Sequence, residues 1–200
     1  MEPDPVFRRA AFLDRDGVVN VDHGYVFRAE DFEFVDGVLQ ASARLADRGF
    51  ALVVVTNQSG IGRGMYSETD FAVLTAWMKL QFASAGAPLA GVYFCPHHPD
   101  HAQGAYRVEC DCRKPAPGML LQAARELKLD LKRSVMFGDR RDDMEAARAA
   151  GVRARVMLGK DGRHAPPVVE GDLSSVRFRS LAEAVASPTL WTLLGEASHA

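Results

Sequence analysis

Two aspartates stand two residues apart in Phe12-Leu13-Asp14-Arg15-Asp16-Gly17, directly after an apolar run. Carboxylate oxygens suit a hard cation such as Mg²⁺. Such a pair can also divide labour between an ionised nucleophile and a proton donor. Gly17 supplies the turn that brings the second carboxylate back toward the first. The same D-x-D-G pattern occurs in Ca²⁺ loops and plain turns, so other groups have to decide between these readings.

Three further groups do so. Thr56, Asn57, Gln58 and Ser59 offer a hydroxyl, amides and backbone donors after a second apolar run. Arg113 and Lys114 place two cations side by side, and Lys114 is one of only five lysines, at 79, 114, 128, 132 and 160. Gly138-Asp139-Arg140-Arg141-Asp142-Asp143 adds acids after another apolar run. Donors, a lysine and a carboxylate-held Mg²⁺ together make a phosphate site.

A second constellation is chemically distinct. Cys95-Pro96-His97 and Cys110-Asp111-Cys112 are two chelating pairs separated by residues 98–109, and they contain every cysteine of the chain. Three thiols and an imidazole form a closed tetrahedral Zn²⁺ set with no position left for water, which is a structural site. The bland alternative is three unconnected thiols with an exposed His97. His98 and His101 compete for the fourth position; His97 is preferred because Cys95-x-His97 mirrors Cys110-x-Cys112. Cys112 directly precedes Arg113 and Lys114, so the metal would pin the loop that presents those cations.

These residues must be positioned by the apolar runs between them. Runs at 10–13, 51–55, 91–94, 134–137 and 155–158 lack clean alternation, as expected for strands covered on both faces. Helical patterns at 38–47, 68–85, 118–128 and 144–150 alternate with them, and a short helix fits 181–186. The expected fold class is α/β, a doubly wound parallel sheet. Three strand ends then deliver Asp14, Thr56 and Asp139 to one rim, where ligands of such sheets bind. Residues 160–167 read as a linker, and 160–200 as an extension packed on or trailing from a catalytic domain at 1–159 with its zinc loop at 95–112.

Composition bounds the function classes. The 200 residues carry 26 acids against 24 bases, a formal net charge of -2, and 48% are hydrophobic. That balance is globular and lacks the basic excess that nucleic acid or an anionic membrane surface would call for. No apolar run reaches the ~18 residues of a membrane span. The polar start, Met1-Glu2-Pro3-Asp4-Pro5, has no hydrophobic leader segment, so the expected compartment is the cytosol. Three cysteines do not make a disulfide framework.

The ordered set Asp14-x-Asp16, Thr56, Lys114 and Gly138-Asp139-x-x-x-Asp143 resembles the haloacid dehalogenase (HAD) superfamily of phosphohydrolases over roughly residues 11–159. The resemblance implies a Rossmann-like core, Asp14 as nucleophile forming an aspartyl-phosphate, and Asp16 as general acid and then base. It implies that Thr56 and Lys114 hold the phosphoryl oxygens. Mg²⁺ would be held by Asp14, by Asp16 through its backbone carbonyl, and by Asp139, with Asp143 orienting the others. The C-x-H…C-x-C-R-K-P zinc loop resembles the branch acting on heptose bisphosphates, with the histidinol-phosphate phosphatases as its relatives. The Asp22-His23-Gly24-Tyr25-Val26 loop resembles the heptose group. By that match Asp22, His23, Gly24 and Tyr25 would line the substrate with Thr56, Asn57, Gln58, Ser59, Arg113, Lys114 and Arg140. The implied reaction is removal of the C7 phosphate of a heptose 1,7-bisphosphate for nucleotide-activated heptose biosynthesis, by a monomer with a minimal cap or none. Histidinol phosphate is the alternative substrate, and a phosphosugar-binding regulator the non-enzymatic reading.

Overall fold

The computed structural model describes residues 8–159 and 175–195. The polar start and the linker expected at 160–167 lie outside them. Six strands form one parallel sheet in the order β3-β2-β1-β4-β5-β6. They are β1 (Ala10–Leu13), β2 (Ala51–Asn57), β3 (Leu89–Cys95), β4 (Val135–Gly138), β5 (Ala154–Leu158) and β6 (Ser175–Phe178). The helices are α1 (Val38–Asp47), α2 (Ser59–Gly62), α3 (Glu68–Ser84), α4 (Gly118–Leu127), α5 (Arg141–Ala150), α6 (Leu181–Ala186) and α7 (Pro188–Leu193).

The lack of alternation in the strands has the predicted cause. Leu13, Leu52, Val54, Val135 and Phe137 face one apolar layer with Leu45 of α1, Met78 and Phe82 of α3 and Leu181 of α6. Phe12, Val53, Val55 and Met136 face the other layer with Leu120 of α4 and Ala146 of α5. Each large side chain buried this way stabilises the fold by roughly 1.5–3 kcal/mol. Helices therefore cover both faces, and β1 lies between β2 and β4, where the winding direction reverses. That switch point opens a crevice at the carboxyl ends of the strands. The connection after β1 holds only a short 3₁₀ turn (Ala29–Asp31), and its Val26 and Phe32 are buried in the core. Among the described residues no separate domain stands over the crevice.

Several boundaries differ from the sequence reading, each for a physical reason. β2 runs on through Thr56 and Asn57 because they pair with Phe94 and Cys95 of β3. α5 begins three residues before its apolar pattern because Asp142 and Asp143 suit the positive end of a helix, and the Asp143 carboxylate accepts from the Arg140 N–H at 3.0 Å. α6 occupies residues 181–186 as read, but the chain beyond it is not loose. Ser187 caps α7, Pro188 starts it, and Trp191 is buried, donating to the Val185 carbonyl at 3.0 Å. The segment read as an extension also supplies β6, so residues 175–195 close the sheet edge and share the apolar layer behind β1. None of the described helices is long and apolar enough to cross a membrane.

Candidate active site

Asp14 is the first residue past β1, and its N–H donates to the Phe137 carbonyl of β4 at 2.9 Å. That bond fixes the nucleophile candidate between two strand ends. Its side chain is buried and lies 2.8 Å from Lys114 Nζ. Lys114 also touches Asp143 at 2.6 Å and donates to the Val55 carbonyl at 2.8 Å. A buried ammonium thus spends all three N–H bonds on two strand ends and the first turn of α5. The Lys114 backbone is tied as well, since Asn57 donates to its carbonyl and accepts from its N–H, both at 3.1 Å.

Asp14, Asp139 and Asp143 bring carboxylate oxygens within 4.8 Å of one another. Burial, and next the Asp143 charge, push Asp14 up to about 8 against the pull of Lys114. Burial and Asp143 likewise push Asp139 up to about 6. For Lys114 burial acts downward, but Asp14 and Asp143 outweigh it and hold the ammonium above its ordinary value. Lys114, with Arg140 Nε 4.0 Å from Asp139 Oδ1, does not neutralise three acids, and Asp139 Oδ1 is buried without a hydrogen-bond partner. Clustered, under-neutralised, hard oxygen donors fit a small divalent cation. Gly17 is required here by geometry: its φ is +86°, and a Cβ would sit 2.2 Å from Asp139 Oδ2.

Asp16 is held as a hydrogen-bond acceptor from three sides. Arg15 donates to Oδ1 at 2.8 Å, Asn20 to Oδ1 at 3.1 Å and Gln58 to Oδ2 at 3.0 Å. Gln58 also donates to Thr56 Oγ1 at 2.8 Å, which links the second acid to the hydroxyl of β2.

Asp14, Asp16, Thr56, Gln58, Lys114 and Asp143 line a cleft of about 350 Å³ together with Asp22, Gly24, Tyr25, Asn57, Ser59, Arg113 and Arg140. Asp22 accepts from Arg140 at 2.9 Å across the rim. His23 is the exception among the expected substrate residues: it turns away to Glu33 at 2.9 Å and does not line the cleft. Arg15, Asn20, Arg63, Tyr66 and Asp142 are structural additions to the set. Arg63 and Tyr66 share the cleft wall, and Arg63 lies 5.8 Å over the Tyr25 ring. An Arg between two aspartates reads as an exposed charge, yet Arg15 is 1% exposed because the Val26 carbonyl of the following loop accepts its guanidinium. No local pattern carried that signal.

The second cluster assembles as the spacing suggested. Cys95, His97, Cys110 and Cys112 bring their ligand atoms within 4.8 Å. Sγ of Cys112 lies 3.2 Å from both Cys95 and Cys110, and Cys95 lies 3.6 Å from Cys110. His97 Nδ1 lies 3.3 Å from Cys112 and 3.7 Å from Cys95. A tetrahedral cage with ~2.3 Å metal–sulfur bonds has edges of about 3.8 Å, so small inward or outward shifts suffice to hold an ion. Burial raises the Cys95 thiol well above its ordinary value, an expense that a coordinated metal removes. His98 is used elsewhere: its Nδ1 accepts from the N–H groups of Asp100 and His101, each at 3.2 Å. The cage is coupled to the cleft directly, because the His97 carbonyl accepts from Arg113 at 3.2 Å and the Cys95 carbonyl accepts from the Gln58 N–H at 2.7 Å.

Known proteins match this architecture. A HAD-hydrolase-like family model matches residues 111–184. The D-glycero-beta-D-manno-heptose-1,7-bisphosphate 7-phosphatase of Yersinia pestis is 51% identical over 166 residues, covering 83% of this chain and 87% of that one. The protein of the same name from Escherichia coli K12 is 51% identical over 161 residues, covering 80% and 84%. Among solved structures, D,D-heptose 1,7-bisphosphate phosphatase from B. bronchiseptica, complexed with magnesium and phosphate, is 31% identical with a TM-score of 0.76, covering 94% of this chain and 99% of that one. Two motif-bearing clusters on one doubly wound sheet, with relatives alike over most of their length, give one family: the chain belongs to the heptose 1,7-bisphosphate 7-phosphatases of the HAD-like hydrolases.

Proposed function

We propose that this chain removes the C7 phosphate of D-glycero-D-manno-heptose 1,7-bisphosphate, with Mg²⁺, through an aspartyl-phosphate on Asp14. The observation that carries the reading is the buried Asp14 held 2.8 Å from Lys114, beside Asp139 and at the floor of an arginine-rimmed cleft. Names shared by relatives at 51% identity support the substrate. We further infer a cytosolic monomer serving nucleotide-activated heptose biosynthesis. Residues 1–159 carry the chemistry, and the C-terminal elements close the sheet.

The steps follow from charge. A phosphoryl group is anionic and repels a carboxylate nucleophile, so approach requires fixed cations. Lys114 is already immobilised by Asp143 and the Val55 carbonyl, and so reorganises little during the reaction. Thr56 and the backbone after β2 hold phosphoryl oxygens. Asp14, Asp139 and the Asp16 backbone carbonyl would hold Mg²⁺, which would supply the remaining positive charge. An Asp14 oxygen bonds to phosphorus as the bond from phosphorus to the C7 oxygen breaks, and Asp16 gives that oxygen a proton. In the second half Asp16 takes a proton from water, which attacks the same phosphorus and frees Asp14 and inorganic phosphate.

Specificity falls to the rim. Arg113 faces the cleft while its NH1 is anchored on the His97 carbonyl. It is placed to read the second phosphate, and a charge-assisted contact there is worth roughly 1.5–3 kcal/mol. Histidinol phosphate would bring an ammonium instead. Its acidic receivers on this rim are Asp22, already engaged by Arg140, and Asp142. Arg113→Ala should therefore lower kcat/KM for the bisphosphate roughly tenfold to a hundredfold, with far less effect on heptose 7-phosphate. Equal losses on both would remove Arg113 from second-phosphate recognition.

The thiolate cage we assign to structural Zn²⁺, closed and without a role at phosphorus. Protein produced with zinc present should carry about one zinc per chain, retained through a mild chelation that strips Mg²⁺ and halts turnover reversibly. Cys110→Ser should lose zinc and thermal stability together, and lose activity through the Arg113–His97 tie. Metal analysis that finds no zinc would refute the assignment.

A further inference from the structure

Tyr66 is assigned by neither the motifs nor the mechanism above, yet it terminates the chain of hydrogen bonds that orients the second acid. Its hydroxyl donates to Gln58 Oε1 at 2.6 Å. The Gln58 amide nitrogen then has its two N–H bonds for Asp16 Oδ2 at 3.0 Å and Thr56 Oγ1 at 2.8 Å. Both residues are buried, Gln58 at 2% and Tyr66 at 6% exposure. The ring is itself fixed, stacked on Phe27 at 5.1 Å and 7°. It approaches Gly60 so closely that a Cβ there would lie 2.2 Å from Tyr66 Cε1. Burial pushes the phenol up to about 12, so it remains a neutral donor at working pH.

We propose that Tyr66 is a positioning residue for phosphate release, setting the flip state of the Gln58 amide and through it the placement of Asp16 and Thr56. The proposal rests on the reading of Asp16 and Thr56 given above. An amide has two orientations of nearly the same shape. In the one observed, nitrogen faces the carboxylate and the hydroxyl. In the other, oxygen faces the carboxylate, and both donors are lost. The phenol O–H stabilises the first, because only there does it meet an oxygen acceptor. Without it, Oε1 is buried and unpaired, or the amide turns.

The test is a double-mutant cycle on kcat, with the Gln58 side-chain amide followed by ¹⁵N NMR. Tyr66→Phe keeps the ring and its stacking. It should lower kcat about tenfold with KM nearly unchanged, and should increase exchange of the Gln58 amide protons with water. In a Gln58→Met background, where no amide remains to orient, the same substitution should change kcat less than about twofold. A tenfold loss in both backgrounds would show that the Tyr66 hydroxyl acts independently of the Gln58 amide and would overturn the proposal. An unchanged kcat, or unchanged amide protection, in the single variant would equally overturn the proposal. Asp16→Asn, assayed alongside, keeps the two readings separate: full activity there rejects the role of Asp16, whereas the NMR readout reports on the amide regardless.

Discussion

Asp14→Asn should leave a folded protein whose turnover falls by on the order of 10³-fold or more. The amide matches the carboxylate in size, so the loss is chemical. It is a poor nucleophile, cannot form the acyl phosphate and is a weaker ligand for a hard cation. The fold should tolerate the change, because burial and the Asp143 charge already oppose an ionised side chain at this position. A neutral side chain at this position relieves repulsion from Asp143 while giving up the ion pair with Lys114. Circular dichroism and phosphate release on protein free of wild-type contamination check both halves. Turnover near the normal rate would remove Asp14 from the nucleophile role.

Lys114→Met should be nearly as damaging and should act on stability too. Among the described residues the ammonium is the one cation paired with both Asp14 and Asp143, and it is buried with them. Taking one partner out of a buried ionic group costs about 3–5 kcal/mol, because the remaining charges lose their counter-ion. The carboxylates should respond by holding protons more tightly, which also disables Asp14 at neutral pH. Loss of phosphoryl stabilisation alone predicts roughly a 10²–10³-fold fall in kcat. The expected signature is a lower melting temperature in buffer without metal, partly restored by Mg²⁺. A variant as stable as the parent and active within a few-fold would show that the Asp14–Lys114–Asp143 arrangement is not the phosphoryl site.

The sequence made the positions of the main chemical groups legible because strands buried on both faces are continuous apolar runs, and because three of those runs end in polar residues. Leu13 into Asp14, Val55 into Thr56 and Phe137 into Gly138-Asp139 mark the rim that the switch point then assembles. The Cys95, His97, Cys110 and Cys112 cluster was legible for a similar reason: thiols and imidazoles in paired spacing have few uses other than holding a metal. What stayed hidden depends on contacts distant in sequence. Arg15 is buried by a carbonyl eleven residues on, and Tyr66 joins the cleft wall and donates to Gln58 from outside any of the motifs. His23 sits in a loop whose residues share a motif but not a direction, and its imidazole turns to Glu33. β6 was missed because Ser175-Val176-Arg177-Phe178 is short, charged and at a sheet edge, without the uninterrupted apolar character of the inner strands.

The central claim is that Asp14 attacks the C7 phosphate of a sugar bisphosphate at an arginine-lined rim. It is tested most directly by ranking kcat/KM for phosphate release with Mg²⁺ across heptose 1,7-bisphosphate, histidinol phosphate, fructose 1,6-bisphosphate and a phosphopeptide, with the product identified by ³¹P NMR. The account predicts that heptose 1,7-bisphosphate ranks first and yields heptose 1-phosphate. Faster turnover of histidinol phosphate, or release of the C1 phosphate, would contradict the substrate assignment, and absence of phosphate release from all four would contradict the enzyme reading itself.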